Sequence, residues 1–261
     1  MEVVEACVSK AGWFLRTVER TGHDVVNLPL EYKSRRYDRL DNMRNALLAY
    51  TNANLGTCGY FEPPIDSDQK MYRAFRISLD LWDDPSLIDG FIRAFGQDYP
   101  DNDLDVMRSW KETLSGPMFC METYGDKALF MCDGYVFEAV SYGRQWDDMI
   151  PYTPDLVITS LLPFEGEIAL GGFTTKHFSP LNGPGLMRIN AEYREALDRG
   201  IIDDARRFCE ASGKIRADRK KHGIEINAWS VYMECIDWIN DMTEDSCFPY
   251  EATLRIRDEE F

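Results

Sequence analysis

Apolar residues change their spacing twice along this chain. Across residues 117–173 they gather in short runs of strand length, and on either side they recur at helical intervals. Five runs inside that window, 119–124, 128–132, 135–142, 156–162 and 167–171, are rich in β-branched, aromatic or large apolar residues and are separated by turn chemistry. Asp133-Gly134 joins two of them directly, and such a pair can take the positive φ values that a two-residue type I′ hairpin demands. The pattern predicts a five-stranded antiparallel meander. Consecutive hairpin strands twist and pair with their neighbours, so the meander is expected to curl into a partly open barrel.

Ahead of the strands, Val3, Val4, Cys7, Ala11, Phe14, Leu15 and Val18 predict a helix over 3–20 that stops at Gly22, with an extended piece at 25–30. Leu40, Met43, Leu47 and Tyr50 form a second stripe ending before Gly56, and Pro63-Pro64 then breaks the chain. Asp66 or Ser67 can cap a third helix carrying Met71, Phe75, Leu79 and Trp82. Asp84-Pro85 starts a fourth, with Ile88, Phe91, Ile92 and Phe95 ahead of Gly96 as terminator, and a fifth spans 101–114. Beyond the strands, 179–185 reads as a loop. Tyr193 and Leu197 lead into Gly200, and a capped run holds Ile201, Ala205 and Phe208. The polar stretch 213–223 reads as a linker or exposed turn, 228–242 as a last apolar helix and 249–257 as an edge strand. The fold class is therefore α+β: a helical region over 1–115, the β-meander over 116–175 and a mainly helical region over 176–261, compatible with one compact domain.

Composition narrows the function. With 261 residues, 44% of them hydrophobic and 13% aromatic, the chain can fill one large core or two modest ones. The 45 acidic residues against 29 basic give a formal charge of −16, which favours solubility and disfavours nucleic acid and anionic membrane as partners. Glu2 and Glu5 stand where a signal peptide would be basic, and no run approaches the roughly 18 apolar residues of a spanning helix, so a soluble, cytoplasmic protein without membrane contact is expected. Seven scattered cysteines without a CxxC pair read as reduced, buried thiols.

Residues 109–143 (SWKETLSGPMFCMETYGDKALFMCDGYVFEAVSYG) and 157–173 (VITSLLPFEGEIALGGF) resemble a loose family of uncharacterised bacterial proteins. Its members pair an acidic helical front with a short β region ending in a Leu-Leu-Pro-Phe turn. The resemblance implies a fold unit and supplies no catalytic residues, since the family has no established activity. Read physically, Pro163 and Gly166 make a tight reversal, and Phe164 is expected to cover one end of the sheet.

Few residues suggest chemistry. Asp101, Asp103, Asp105 and Glu112 match positions 1, 3, 5 and 12 of a calcium loop. Position 6 is Val106 where the bend needs glycine, and Leu104, Met107, Trp110 and Leu114 keep a helical rhythm, so the aspartates read as the first turn of a helix and no metal is expected. His23, His177 and His222 lack ligand spacing. Phosphate-loop, dinucleotide and nucleophile-elbow motifs are missing, and no cofactor is implied. Carboxylate pairs such as Glu165 and Glu167 are too common here to inform. Two basic clusters stand out: Lys33, Arg35, Arg36 and Arg39, and Lys214, Arg216, Arg219, Lys220 and Lys221. No aromatic residue interleaves the second, so single-strand stacking is not expected there. The favoured reading is a non-catalytic protein-interaction or regulatory module, with the second cluster as its candidate binding residues. One alternative is an enzyme built from scattered carboxylates with Lys176 and His177 as catalytic candidates. The other is a nucleic-acid-associated module using the basic cluster.

Overall fold

Strands β1 (Leu114–Tyr124), β2 (Lys127–Cys132), β3 (Tyr135–Val140), β4 (Asp155–Phe164) and β5 (Glu167–Leu170) pair in the order β1-β2-β3-β5-β4. Strand β4 also pairs with β1, so the sheet closes. The computed structural model describes residues 35–65, 68–176 and 183–221. The elements expected at 3–20, 25–30, 228–242 and 249–257, and the capping pair Asp66 and Ser67, lie outside the described residues.

All five strands are present, and the architecture is α+β with helices flanking the barrel. The closure goes beyond a meander. Between β3 and β4 the chain carries the short helix α5 (Trp146–Met149) and delivers β4 beside β1, while β3 meets β5 in parallel at Val140 and Ala169. Strand β1 makes this feasible. Its first part pairs with β4 from Leu114 to Cys120 and its later part with β2, and a bulge between Cys120 and Glu122 bends it from one neighbour to the other. Closure removes the exposed edges that a meander would leave.

Alternation sorts the strand residues. Met118, Cys120, Phe130, Phe137, Ala139, Val157, Leu161 and Ile168 form one core cluster with Trp146 and Ile150, filling the barrel. Residues of opposite parity face outward, and in β4 they too are covered, so every residue of that strand is buried and its sequence is largely apolar. On one outer side Leu162, Phe164 and Ala169 pack with the front helices α1 (Arg35–Leu55), α2 (Asp68–Asp83), α3 (Ser86–Phe95) and α4 (Asp101–Ser109). There Trp110 donates its indole N–H to the Pro163 carbonyl at 3.0 Å. On the other outer side Phe119, Met121, Leu129, Met131, Val136 and Ile158 are covered by α6 (Gly183–Leu197) through Ile189, Tyr193 and Ala196. Short strands β6 (Thr175–Lys176) and β7 (Ile201–Ile202) add to β4 and β3. Helix α7 (Ala205–Lys221) completes the filling with Phe208, Ala211 and Ile215.

Several local expectations change. The stretch 213–221 is the second half of α7, not a linker: Ile215 and Arg219 continue the buried stripe of Phe208, Ala211 and Ser212, and packing outweighs the modest cost of Gly213. Gly183 to Gly185 belong to the first turn of α6, where proline at position 184 fits because its missing N–H has no partner to lose. The fifth helix ends at Ser109 and continues as a 3-10 turn to Glu112. Strand β1 begins at Leu114, so Gly116 and Pro117 lie inside it. Gly96 stays right-handed at φ −59° and opens another 3-10 turn instead of stopping the chain. Phe164 does not cap the sheet's end; it packs on its outer face, edge-on to Tyr142 at 5.6 Å. The Asp133-Gly134 turn has the positive φ expected of it, 48° and 75°; the reversal expected at Pro163 and Gly166 turns instead on Glu165 and Gly166, at 48° and 88°, with Pro163 inside β4 opposite Ile168.

Candidate functional site: a basic pocket beside the β2–β3 hairpin

Helix α7 distributes the expected binding cluster around its circumference. Arg219 turns inward, 6% exposed at its side chain, and grips the β2–β3 hairpin: its guanidinium donates to Asp133 at 2.6 Å and 3.0 Å and lies 3.3 Å from the Cys132 sulfur. Arg216 pairs with Glu112 and donates to the Lys111 carbonyl, tying α7 to the turn before β1. Lys214, Lys220 and Lys221 remain exposed. The sequence counts five cations, but two of them hold the fold together.

Lys214 instead joins residues that the sequence did not single out. A cavity of about 180 Å³ opens between the end of α6, β3 and the first half of α7. Its rim carries Arg199, Arg207, Lys214 and Glu210, while Tyr135, Ala196, Ile202 and Ala211 form its apolar floor. Arg199 donates to the Gly134 carbonyl at 2.9 Å and Arg207 to the Ile201 carbonyl at 3.1 Å, so both guanidinium groups are positioned by backbone. Arg207 also lies 3.7 Å from Asp203 and 3.9 Å from Asp204, and Glu210 lies 3.5 Å from Arg206. The Tyr135 ring stacks on Phe137 with centroids 6.2 Å apart. Arg199 and Arg207 carried no signal because acidic neighbours, Asp198, Asp203 and Asp204, mask them in any local charge count.

Two cations of the first basic cluster, Arg36 and Arg39, also serve cohesion. Arg36 bridges Glu165 at 2.6 Å and Glu167 at 2.8 Å and sits over the Tyr142 ring; Arg39 binds Asp103 at 2.5 Å and Glu165 and sits over Phe164. The Glu165–Glu167 pair, uninformative in the sequence, thus receives the cations of α1. Burial, helped by the hydrogen bond to Glu167, pushes the Tyr142 phenol up. Lys33 lies outside the described residues.

The calcium-like acids point to different partners. Asp103 binds Arg39, Asp105 lies 2.5 Å from Arg108, and Glu112 binds Arg216, all on or just after helix α4. Among the described residues no group of three His, Cys, Asp or Glu side chains is arranged to hold a metal ion. Nor is any helix among them long and apolar enough to cross a membrane. His177 lies outside the described residues; Lys176 ends β6, where its backbone pairs with Val157. Cys120 and Cys132 are buried and Cys58 and Cys209 half-buried, none of the four is in a disulfide, and burial pushes the Cys120 thiol up.

On the outer sheet surface, Tyr124 and Lys127 donate to Glu138, and Tyr193 of α6 donates to Glu122 at 2.8 Å. Burial works to raise the Glu138 carboxyl, but those two hydrogen bonds outweigh it and hold the group below the ordinary glutamate value. No family model, curated protein or solved structure matches this chain.

Proposed function

We propose that the protein is a non-catalytic protein-interaction or regulatory module, acting in the cytoplasm, whose contact surface includes the Arg199–Arg207–Lys214 pocket. The observation that carries this reading is the pocket's size and setting. At about 180 Å³ it is smaller than the roughly 300–1,000 Å³ of pockets that enclose a small-molecule substrate. It suits one protruding side chain, with cations at the rim and an apolar floor. The barrel interior is packed with the large side chains Phe130, Phe137, Trp146 and Phe208. In a chain of net charge −16, an exposed group of cations is also a contrast that an anionic partner surface can read.

The nucleic-acid alternative is weaker on two counts. Five-stranded Greek-key barrels of the OB class bind oligonucleotides across their second and third strands, and here the outward residues Leu129, Met131 and Val136 lie under α6. Arg216 and Arg219 are already committed to Glu112 and Asp133. The enzyme alternative rests on Lys176 and His177.

The test is complex formation in extracts of the cells that make the protein. The wild-type chain is expected to elute as a complex of defined size, R199E/K214E to elute free while still folded, and K176A/H177A to retain the complex. A wild-type chain that elutes free, or a complex indifferent to R199E/K214E, overturns the proposal.

A further inference from the structure

We infer that the Arg199–Arg207–Lys214 pocket binds a phosphate monoester, an inference that rests on reading the protein as a binding module and names what it binds. The charge of the lining selects the anion. Three cations, Arg199, Arg207 and Lys214, face one carboxylate, Glu210, so the lining carries 3 − 1 = +2. A carboxylate would supply one negative charge, whereas a phosphate monoester carries about −1.5 to −2 near neutral pH and presents three acceptor oxygens. Asp203 and Asp204 temper Arg207 from outside the lining, which leaves Arg199 and Lys214 as the principal contacts.

The donors are also prepared for it. One N–H of Arg199 is spent on the Gly134 carbonyl and one of Arg207 on the Ile201 carbonyl. These bonds bias the orientation of the two guanidinium groups while leaving further N–H groups for a ligand, so part of the ordering cost is met before binding. The floor decides between an ester and free phosphate. Tyr135, Ile202, Ala196 and Ala211 offer apolar contact that inorganic phosphate cannot use, and the Tyr135 ring is braced by Phe137. A phosphoryl group at the rim with its ester carbon on the floor matches both halves. A phosphorylated side chain of a partner and a small organic phosphate share this chemistry.

The experiment titrates the full chain with phenyl phosphate, benzoate, inorganic phosphate and the capped tripeptide Ala-phosphotyrosine-Ala with its unphosphorylated form, following heat and amide chemical shifts. Phenyl phosphate is expected to saturate and to bind more tightly than benzoate or inorganic phosphate. R199Q/K214Q should weaken it by about fivefold or more, since charge-assisted hydrogen bonds are lost. E210Q should tighten it, a change that a purely structural role for these residues would not give. Tripeptide binding at least as tight as phenyl phosphate, and dependent on the phosphate, identifies a partner's side chain as the source; rejection of the tripeptide with phenyl phosphate retained identifies a small organic phosphate. Inorganic phosphate binding as tightly as phenyl phosphate overturns the ester, and failure of phenyl phosphate to saturate, or equal binding by all three proteins, overturns the site. If the wild-type complex nonetheless forms and R199E/K214E abolishes it, the module reading survives the failure of this inference.

Discussion

Replacing Gly134 with valine tests the hairpin that the basic pocket is built against. Gly134 sits at φ 75° in the two-residue turn between β2 and β3, and a Cβ there would lie 2.8 Å from Arg199 Nη1. Holding a β-branched residue in the left-handed region costs up to about 3 kcal/mol, and the loss of chain freedom in the unfolded state returns roughly 1 kcal/mol. The steric conflict adds little by itself, because the guanidinium ends a flexible side chain and can swing aside. In doing so it gives up its hydrogen bond to the Gly134 carbonyl, worth about 1 kcal/mol. The total is about 3 kcal/mol, or a fall in Tm of roughly 6–12 °C at about 2–4 °C per kcal/mol. Gly166→Val is the internal control. Gly166 occupies the matching turn position at φ 88° with nothing within 4 Å of its Cβ, so it should lose the backbone part alone, about 2 kcal/mol or roughly 4–8 °C. Thermal melts by circular dichroism read both variants. Unchanged melting in Gly134→Val would refute the turn argument, and equal losses at the two sites would refute the role given to Arg199.

Three further outcomes follow from named contacts. Arg219→Ala should cost about 1–2 kcal/mol in urea unfolding, because it strips a buried guanidinium from a half-exposed Asp133, whereas Lys220→Ala should stay within about 0.5 kcal/mol. Glu138 is depressed in the folded state, so its contribution to stability is present above the ordinary glutamate value near pH 4.3 and is lost as pH falls through the lower folded value; Glu138→Gln should flatten the acid limb of the stability profile in that window. Calcium at millimolar concentration should leave Tm unchanged, because Asp103 and Glu112 are engaged by Arg39 and Arg216; a saturable rise abolished by Asp101→Ala would contradict this.

Local chemistry made each strand readable. The Asp133-Gly134 turn follows from its turn residues, and the strands beside it from their β-branched, aromatic and large apolar content. Strand neighbours did not, because alternation says which face a residue occupies and nothing about which strand lies beside it. The return of β4 to β1 depends on the bulge near Cys120 and on α5 crossing between β3 and β4, and neither has a distinctive residue pattern. Residues 213–221 were obscured for a related reason: Ile215 and Arg219 alone face inward among polar neighbours, and a buried arginine counts as polar in any periodicity. The candidate site was half visible. Lys214 stood in a run of cations, but Arg199 comes from the α6–α7 elbow and is placed by its long-range contact with Gly134, and Arg207 comes from the first turn of α7 and bonds back to Ile201. Charge counting likewise could not tell that Arg216 and Arg219 are engaged within the molecule.

The central claim, that the pocket face is a contact surface, is tested most directly by photo-crosslinking in the cells that make the protein. A benzoylphenylalanine at exposed Ala217, one helical turn beyond Lys214, should yield a discrete adduct of defined mass, and Arg199→Glu in the same chain should abolish it. The same probe at Tyr152, 81% exposed in the loop between α5 and β4, should give no such adduct. An adduct from Tyr152 but none from Ala217, or one from Ala217 that persists with Arg199→Glu, would contradict the account.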